Sequence, residues 1–453
     1  MLFRRHILVL FTLLILLAAG CDSLGLPLGS PGQEPLATST RTPSPTLSPT
    51  LLPSPDLQPT SAGPVTLTIW LPPQFDPASG TASGNLLAER LEEFSLRRPG
   101  VRLDVRIKAL DGAGGLLDSL TSASAAAPLA LPDLIVLPRP LMEAAALKGL
   151  LHPLDGLAIS LDNSDWYDYA IELSRLQNAS FGVPLAGDAL LLAYRPGILP
   201  EPPKTWEEVL TSENPLIFAA ADPQAATSLA FYMASGGFVQ DDQGRPALDE
   251  TILAQLLVFF QAAEQNQVMP YWLTQYETFD QAWGGYLENP AAMTITWWSR
   301  YLLEEETLAE AVPLPDEEEV VDEDPLAAAS LPTPSGAPFT LATGWALSLA
   351  GSQPARQPLA IELAEFLTES SFLASWSEAA GLLPPREEAL NRWRDTPTKT
   401  LASRVASSAH LFPSTDLLTS LAPHVQQATL QILKQQAEPL SLAQATVERL
   451  TNP

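Results

Sequence analysis

The sequence contains very little cysteine and histidine. Of its 453 residues, one is cysteine and four are histidine. A single cysteine cannot form an internal disulfide, and so few thiols and imidazoles argue against a metal site built from Cys and His ligands. A cation site made only of carboxylates stays open as an alternative, and we predict no cofactor.

Basic residues are also scarce. Lys and Arg total 24 against 52 Asp and Glu, which gives a formal net charge of −28. This charge argues against nucleic acid and anionic membrane surfaces as electrostatic partners. The apolar content of 46% is nevertheless enough for a large core, and the length suggests more than one folding unit.

The motifs of several common enzyme classes are missing. The sequence has no G-x-S-x-G, H-E-x-x-H, P-loop or G-x-G-x-x-G pattern. His152, His410 and His424 have no candidate nucleophile beside them in the sequence. Paired carboxylates, as in a glycoside hydrolase, stay an alternative because acidic residues are numerous. We predict that the protein is not an enzyme.

The first twenty residues have the pattern of a targeting segment. Arg4 and Arg5 precede an apolar run from Ile7 to Leu17, which is short for a membrane span. The run ends in Leu-Ala-Ala-Gly-Cys21, which resembles the lipobox of bacterial lipoproteins. That resemblance implies cleavage after residue 20, lipidation of Cys21, and attachment to the outer face of the cell membrane.

A tether follows the lipobox. Residues 22–63 hold nine prolines, seven serines and six threonines but four charged residues. This composition cannot bury a core and predicts a disordered spacer, 21–63 with its lipidated cysteine, that holds a folded domain away from the membrane.

From residue 64 onward, strands and helices alternate. Val65–Trp70, Val101–Ile107 and Leu134–Leu137 are predicted strands, separated by segments with apolar residues at helical spacing. This order predicts parallel βαβ units and an α/β fold. Ligands of such sheets bind outside the carboxyl ends of the strands.

The stretch 181–195 predicts a strand buried on both faces. Two apolar runs flank Ala186-Gly-Asp188, which we interpret as a break between them. One interpretation is an ordinary central strand with a solvated Asp188. The other is a strand that passes from one lobe to a second, with Asp188 facing the crevice between the lobes.

Four tryptophans lie at predicted strand ends or beside a glycine: Trp70, Trp297, Trp298 and Trp345. An indole ring stacks well on the apolar face of a sugar, although core packing explains any one of these residues equally well. The hydroxyls of a bound sugar need polar partners, which Gln74, Asp188 and Arg139 are candidates to supply.

Several short segments together resemble the extracellular solute-binding proteins of the maltose-binding type, the receptors of carbohydrate ABC importers. The segments that carry the resemblance occur between about Val65 and Leu450: Leu67-Thr-Ile-Trp70, Phe94–Val105, Pro132-Asp-Leu-Ile135, Gly149–Asp155, Phe181-Gly-Val-Pro184, Pro203–Glu208, Ala292-Met-Thr-Ile295, Gly344-Trp345, Phe366-Leu-Thr368 and Gly381–Arg386.

The resemblance implies a periplasmic-binding-protein fold of type II, with two α/β lobes, a hinge and a ligand cleft between the lobes. Lobe 1 would comprise 64–193 plus 344–395, and lobe 2 would comprise 196–342 plus 396–453. The resemblance also implies sugar contacts at Gln74, Asp188, Trp345 and either Trp297 or Trp298. The acidic stretch 304–324, with eleven acids and no base, is predicted to be a solvated loop.

The implied function is capture of a sugar or oligosaccharide and its delivery to an ABC transporter permease by a lipid-anchored monomer. Two alternatives stay open. A receptor of the same fold could bind a cationic metabolite, and a surface-anchored glycoside hydrolase would share the tether.

Overall fold

A computed structural model describes residues 64–289, 293–310 and 326–451, all within one compact unit, Ala62–Pro453. The predicted signal segment, Cys21 and the tether lie outside the described residues, as does the acidic stretch beyond residue 310.

Eleven strands are present among these residues. In chain order they are β1 Val65–Leu71, β2 Val101–Ile107, β3 Leu134–Pro138, β4 Arg175–Leu176, β5 Ala179–Ser180, β6 Val183–Tyr194, β7 Leu216–Ile217, β8 Met293–Trp297, β9 Ala327–Ala329, β10 Thr340–Leu349 and β11 Ala409–Leu411. The three strands predicted before residue 140 are confirmed as β1 to β3.

Fifteen α-helices accompany the strands in the described part of the chain. They are α1 Ala82–Arg97, α2 Leu116–Ala126, α3 Arg139–Leu147, α4 Asp168–Ser174, α5 Trp206–Thr211, α6 Ala226–Ala234, α7 Glu250–Gln265, α8 Phe279–Glu288, α9 Trp298–Glu310, α10 Gln357–Leu367, α11 Ser370–Ala379, α12 Glu387–Asn391, α13 Pro397–Ser407, α14 Thr415–Leu433 and α15 Pro439–Thr451.

Most strands join one mixed sheet in the order β2-β1-β3-β10-β6-β8-β7, with β11 beside β10 and β9 beside β6. β1 is parallel to both β2 and β3, and β7 is parallel to β8, as the βαβ pattern predicts. β10 runs antiparallel to β3 and β6. The α/β fold class is therefore confirmed.

β6 is twelve residues long and continuous, so the predicted break at Ala186-Gly-Asp188 is wrong. Pairing on both sides explains the continuity. Gly187 lies opposite Gly344 of β10 and also exchanges two backbone hydrogen bonds with Leu383, of 2.8 and 2.9 Å. The first part of β6 pairs with β10, whereas Leu190–Ala193 pairs with β8. A single strand therefore passes from one group of strands to another.

Two helical segments differ from the sequence prediction. Pro358 and the apolar spacing of Leu359, Leu363, Phe366 and Leu367 predict one helix to about Ala380. The structure has two helices there, α10 and α11, because the chain leaves helical geometry at Thr368 and Glu369. The acidic stretch begins inside α9, which extends to Glu310, so its first residues are helical and do not form the predicted loop.

The buried side chains form one large apolar cluster and one smaller one. The large cluster follows the sheet from Leu67 in β1 to the helices that end the chain. The smaller cluster surrounds Trp70, Leu116 and Ile135. Burial of these surfaces, at about 25 cal/mol per Å², provides most of the driving force for folding.

Candidate functional site

A cavity of about 510 Å³ lies where two strands end and two helices begin. β1 leads through a short 3-10 turn to α1, and β8 leads directly into α9. Ala82 at the start of α1 and Ser299 in the first turn of α9 both line the cavity. This is the position, outside the carboxyl ends of strands, where α/β proteins bind ligands.

The other wall of the cavity comes from α11 to α13 and their connections. The lining residues not yet named are Leu302, Leu303, Glu305, Glu378, Ala379, Ala380, Gly381, Trp393, Thr396 and Thr398. Hydroxyls, carboxylates, apolar side chains and one indole ring therefore surround the same space. Its volume falls within the range of small-molecule sites, about 300–1,000 Å³.

Asp188 lies behind this cavity and fixes the first turn of α9. Its carboxylate accepts hydrogen bonds from the Ser299 hydroxyl at 2.6 Å, the Ser299 N–H at 3.1 Å and the Ala189 N–H at 3.0 Å. The first N–H groups of a helix have no partners within the helix, and the helix dipole favours a negative charge there. Asp188 therefore acts as a remote cap of α9.

Burial raises the pKa of the Asp188 carboxyl from its ordinary value of 3.8 to about 6, because the charged form loses its water. The hydrogen bonds from Ser299 and from the Trp298 and Ala189 backbone oppose that shift. Since the resulting pKa is still below 7, Asp188 is mainly ionised at neutral pH.

Glu305, one of the lining residues, is also partly buried. The loss of water raises the pKa of its carboxyl above the ordinary value of 4.5. On the opposite wall, the Trp393 Nε1–H donates a 2.8 Å hydrogen bond to the Ala374 carbonyl oxygen. That bond fixes the plane of the indole ring at the wall of the cavity.

Trp345 belongs to an aromatic group next to this wall. Its ring is partly buried and lies edge-on to Phe75, with 5.6 Å between ring centroids, and Phe75 lies 5.3 Å from Trp376. Trp376 is in α11, whose last residues line the cavity. Trp345 therefore connects β10 to the cavity wall, and its direct contact with a ligand stays a prediction.

The structure distinguishes the two adjacent tryptophans. Trp298 is fully buried in the core, 6.4 Å from Tyr301 between ring centroids. Trp297 is partly exposed and packs between Phe279 at 5.5 Å and Phe412 at 5.8 Å. Of these two rings, Trp297 is thus the one with surface available to a ligand.

The other predicted ligand contacts are dispersed. Gln74 is exposed on the 3-10 turn after β1, whereas Trp70 is buried in the smaller core cluster. Arg139 is nearly buried, and its guanidinium donates to Glu143 and to the carbonyl oxygens of Glu172, Leu173 and Arg175. These bonds hold α3 against α4 and use the Nε–H and Nη1 donors of the guanidinium, and a ligand contact of Arg139 stays a prediction.

A second, larger cavity of about 860 Å³ includes Arg139 and Glu143 in its wall. Here Glu143 accepts hydrogen bonds from the Thr415 N–H at 2.8 Å and the Thr415 hydroxyl at 2.7 Å. Glu143 also forms a 2.6 Å ion pair with Arg139, and its side chain is 4% exposed. The amino end of α14 is therefore held by a carboxylate of α3.

Sequence reasoning missed four residues of the 510 Å³ cavity or its support: Ser299, Glu305, Glu378 and Trp393. Ser299 had a weak signal, since it comes two residues after the end of a predicted strand and serine is favoured near helix starts. The others lie in helices or connections with no sequence motif, and their approach to one another depends on the tertiary fold.

The described part of the chain contains neither a metal-binding group of side chains nor a membrane-spanning helix. No group of three or more His, Cys, Asp and Glu side chains in residues 64–289, 293–310 and 326–451 could hold a metal ion. Within the same ranges, no helix has the length and apolar character needed to cross a membrane.

A family model described as bacterial extracellular solute-binding protein matches residues 102–404. No curated protein matches the sequence. Three solved structures illustrate the structural similarity. Each is less than 20% identical to this chain, so the similarity concerns the fold alone.

The cyclic alpha-maltosyl-1,6-maltose binding protein from Arthrobacter globiformis has a TM-score of 0.68 and 16% identity, covering 86% of this chain and 99% of that chain. The maltose-binding protein MalE from Listeria monocytogenes, in complex with maltose, has a TM-score of 0.66 and 13% identity. The match covers 85% of this chain and 96% of that chain. The GacH receptor of Streptomyces glaucescens, solved without ligand and with acarbose, has a TM-score of 0.62 and 17% identity. The match covers 85% of this chain and 97% of that chain.

Proposed function

Because the chain belongs to the bacterial extracellular solute-binding proteins, we propose that it captures a sugar or oligosaccharide and delivers it to the permease of an ABC importer. The resemblance seen in the sequence is thereby confirmed at the level of family and fold. The single observation that carries the proposal is the 510 Å³ cavity between the helix starts after β1 and β8.

The position of this cavity supports a two-lobe mechanism. In the predicted division of the chain, Ala82, Glu378 and Trp393 belong to lobe 1, whereas Ser299 and Glu305 belong to lobe 2. A ligand in the cavity would contact both lobes at once and would stabilise their closed arrangement. β6 and β10 are the proposed hinge strands, since β6 pairs with strands on either side of the division.

The chemistry of the wall supports a polyhydroxylated ligand. Ser299, Thr396 and Thr398 offer hydroxyls, and Glu305 and Glu378 offer carboxylate oxygens that accept from sugar hydroxyls. The ring of Trp393 adds an apolar surface of the kind that packs on a pyranose face. The neighbours of the same fold bind maltose, acarbose and a cyclic maltosyl-maltose by their own descriptions.

The family description is of extracellular proteins. In the proposal, cleavage before Cys21 and lipidation of its thiol attach the mature protein to the outer face of the membrane, and residues 22–63 give it reach. This arrangement would keep a monomeric receptor close to its permease. The binding protein performs no chemistry, because an ABC importer hydrolyses ATP in its own subunits.

A thermal-shift screen of the full chain against a broad carbohydrate panel tests the function. A ligand that binds only the native state raises the melting temperature by mass action, equivalent to about 2.7 kcal/mol at 100 times Kd. We expect at least one sugar to do so. A panel without any shift, at millimolar concentrations, would contradict sugar capture.

Two variants locate the binding site. Ala380→Tyr places a ring in the cavity and should abolish the shift, whereas Ala445→Tyr on the exposed face of α15 should preserve it. An equal ligand-induced rise in melting temperature in both variants would show that the ligand binds at another site. The glycoside hydrolase alternative is checked by incubating the protein with the bound oligosaccharide, since new reducing ends would overturn the binding-only function.

A further inference from the structure

Among the residues that the structure describes, the side chains that line the 510 Å³ cavity include no Lys, Arg or His. They do include two carboxylates, Glu305 and Glu378, and the ionised Asp188 lies directly behind Ser299. A cavity with several negative groups and no positive one repels anions and attracts cations, more strongly where water is excluded.

Glu305 has no neutralising partner in the described part of the chain, since none of the ion pairs or hydrogen bonds found there involves its carboxylate. Several acidic residues elsewhere in the described part of the chain differ in this respect. Glu93, Glu362 and Glu369, for example, each contact an arginine. A partly buried carboxylate without a counter-charge is a place where a ligand cation gains an ion pair at no loss of an internal one.

The features of the fold that usually bind anions already have partners of their own. The amino end of α9 reaches the cavity, but Asp188 accepts from its Ser299 N–H and places a carboxylate where an anion would bind. The amino end of α1 also reaches the cavity, and there the Thr81 hydroxyl accepts from one of its N–H groups, that of Gly84, at 3.1 Å. A helix start is the common receptor for phosphate or carboxylate groups, and the start of α9 is held by a carboxylate of the protein itself.

The indole of Trp393 favours the same sign of ligand charge. Its only donor is used by the Ala374 carbonyl, and 6% of the residue is exposed, so the small part of the ring that borders the cavity belongs to the π system. The face of an indole carries negative electrostatic potential and attracts ammonium groups within about 6 Å.

We propose that the ligand carries a protonated amine, as in an amino sugar or an oligosaccharide containing one, and that the cavity excludes sugar acids and sugar phosphates. The proposal rests on the sugar-binding function above and narrows its substrate class. The ammonium group would be bound between Glu305 of α9 and Glu378 of α11, on the two walls of the cavity, while Ser299 and the threonines would bind hydroxyls.

Isothermal titration of the full chain with matched sugars tests the charge preference. Each set keeps one ring stereochemistry and changes one group: glucosamine, glucose and glucuronate, then galactosamine, galactose and galacturonate, with the β-1,4-linked oligomers of each. We expect the amino member of the recognised set to bind at least tenfold more tightly than the neutral member. The acidic member should not bind.

The outcomes separate the charge preference from the proposed function. A neutral or acidic sugar that binds as tightly as its amino counterpart would overturn the charge preference and leave sugar capture intact. Binding of putrescine or spermidine with no sugar binding would overturn both, as would a complete absence of heat in every set.

Charge-neutral variants assign the effect to its residues. Glu305→Gln should weaken binding of the amino sugar about tenfold, with a smaller loss for the more exposed Glu378→Gln, and change the affinity of the neutral sugar less than twofold. Glu92→Gln, on an exposed position of α1, is the matched control and should change neither. Equal loss for both sugars in Glu305→Gln would contradict an ion pair. Melting temperatures of the three variants show whether each one is folded.

Discussion

The carboxylate of Asp188 holds the first turn of α9 through Ser299, a residue 111 positions later in the chain. The contact connects the central strand β6 to the helix that forms one wall of the candidate site. Asp188 was predicted to contact ligand directly. That ligand contact stays a prediction, and the three hydrogen bonds of Asp188 show that the carboxylate also positions the helix that forms the cavity wall.

The raised pKa of Asp188 predicts an unusual pH dependence. Because the folded-state pKa of about 6 exceeds the ordinary 3.8, the native state binds a proton more tightly than the unfolded state between these values. The contribution of this group to the free energy of unfolding is therefore largest below pH 4 and declines as the pH rises through 6. The decline amounts to on the order of 3 kcal/mol.

Urea denaturation of the wild type and Asp188→Asn at pH 4, 5, 6 and 7 measures this effect. The difference in unfolding free energy between the two proteins isolates Asp188 from the other acids. We expect the wild type to lose stability relative to the variant across this range and the difference to level off above pH 7. A difference independent of pH would show that the carboxyl has an ordinary pKa.

Glu143 is predicted to be important for stability. Removing its side chain in Glu143→Ala leaves the nearly buried Arg139 without its ion pair and the Thr415 N–H without its acceptor. Losing one partner of a buried pair costs about 3–5 kcal/mol. Chemical denaturation measures the loss, and Glu172→Ala, an exposed position on α4, should change stability by less than about 1 kcal/mol. Similar values for the two variants would contradict the structural role.

Gly344 is predicted to be indispensable for the pairing of β10 with β6. A Cβ atom at this position would lie 2.3 Å from the Ala186 carbonyl oxygen and 2.9 Å from Leu173 Cδ2. Gly344→Ala should therefore cost about 1–3 kcal/mol, because one of the contacting atoms belongs to the backbone. Gly284→Ala in α8, where nothing lies within 4 Å, should be neutral or stabilising. The urea midpoints of the two variants measure this difference. A lower midpoint for Gly284→Ala than for Gly344→Ala would contradict the prediction.

The tryptophans should separate into residues that affect ligand affinity and residues that affect stability. If Trp345 is a stacking anchor, Trp345→Ala should weaken sugar binding by about 2 kcal/mol, or thirtyfold. Trp298→Ala creates a cavity in the core and should lower the unfolding free energy by about 3–5 kcal/mol. Calorimetric titration and denaturation of each variant measure the two effects. Unchanged affinity in Trp345→Ala would remove that ring from the site.

Cys21 is predicted to be the attachment point of the lipid. In Cys21→Ala, the sulfur that would carry the lipid is absent, so the protein should move from the membrane fraction to the soluble or secreted fraction and lose labelling by a radioactive fatty acid. Cell fractionation and metabolic labelling measure this. Retention of the label in the variant would contradict lipidation at this position.

Much of the fold follows from local sequence patterns. β1 to β3 alternate or form short apolar runs, and Thr205 and Glu208 form a capping box at the start of α5, at the three-residue spacing typical of that motif. These features depend on residues close together in the sequence. The continuity of β6 does not, because Gly187 receives its partners from Gly344 and Leu383, which lie far away in the chain.

The candidate site was less predictable than the fold. The sequence pointed to the neighbourhood, since Asp188, Trp297 and Trp345 lie in the strands that lead to the cavity. It could not show that the Asp188 carboxylate accepts hydrogen bonds from Ser299 of α9 or that Trp298 is buried. It also gave no means to select Glu305 and Glu378 from among 52 acidic residues, because the cavity that both side chains line arises from tertiary packing.

The shared use of β6 has a consequence for attempts to divide the molecule. The first part of β6 pairs with β10, and its second part pairs with β8 and β9. Both groups of strands therefore depend on β6. A gene cut on either side of it would yield one fragment lacking a strand and another with an unpaired, aggregation-prone border. Co-expressed fragments that together supply the missing strand could instead reassemble, so a division of the chain in a loop beside β6 requires both fragments to be present.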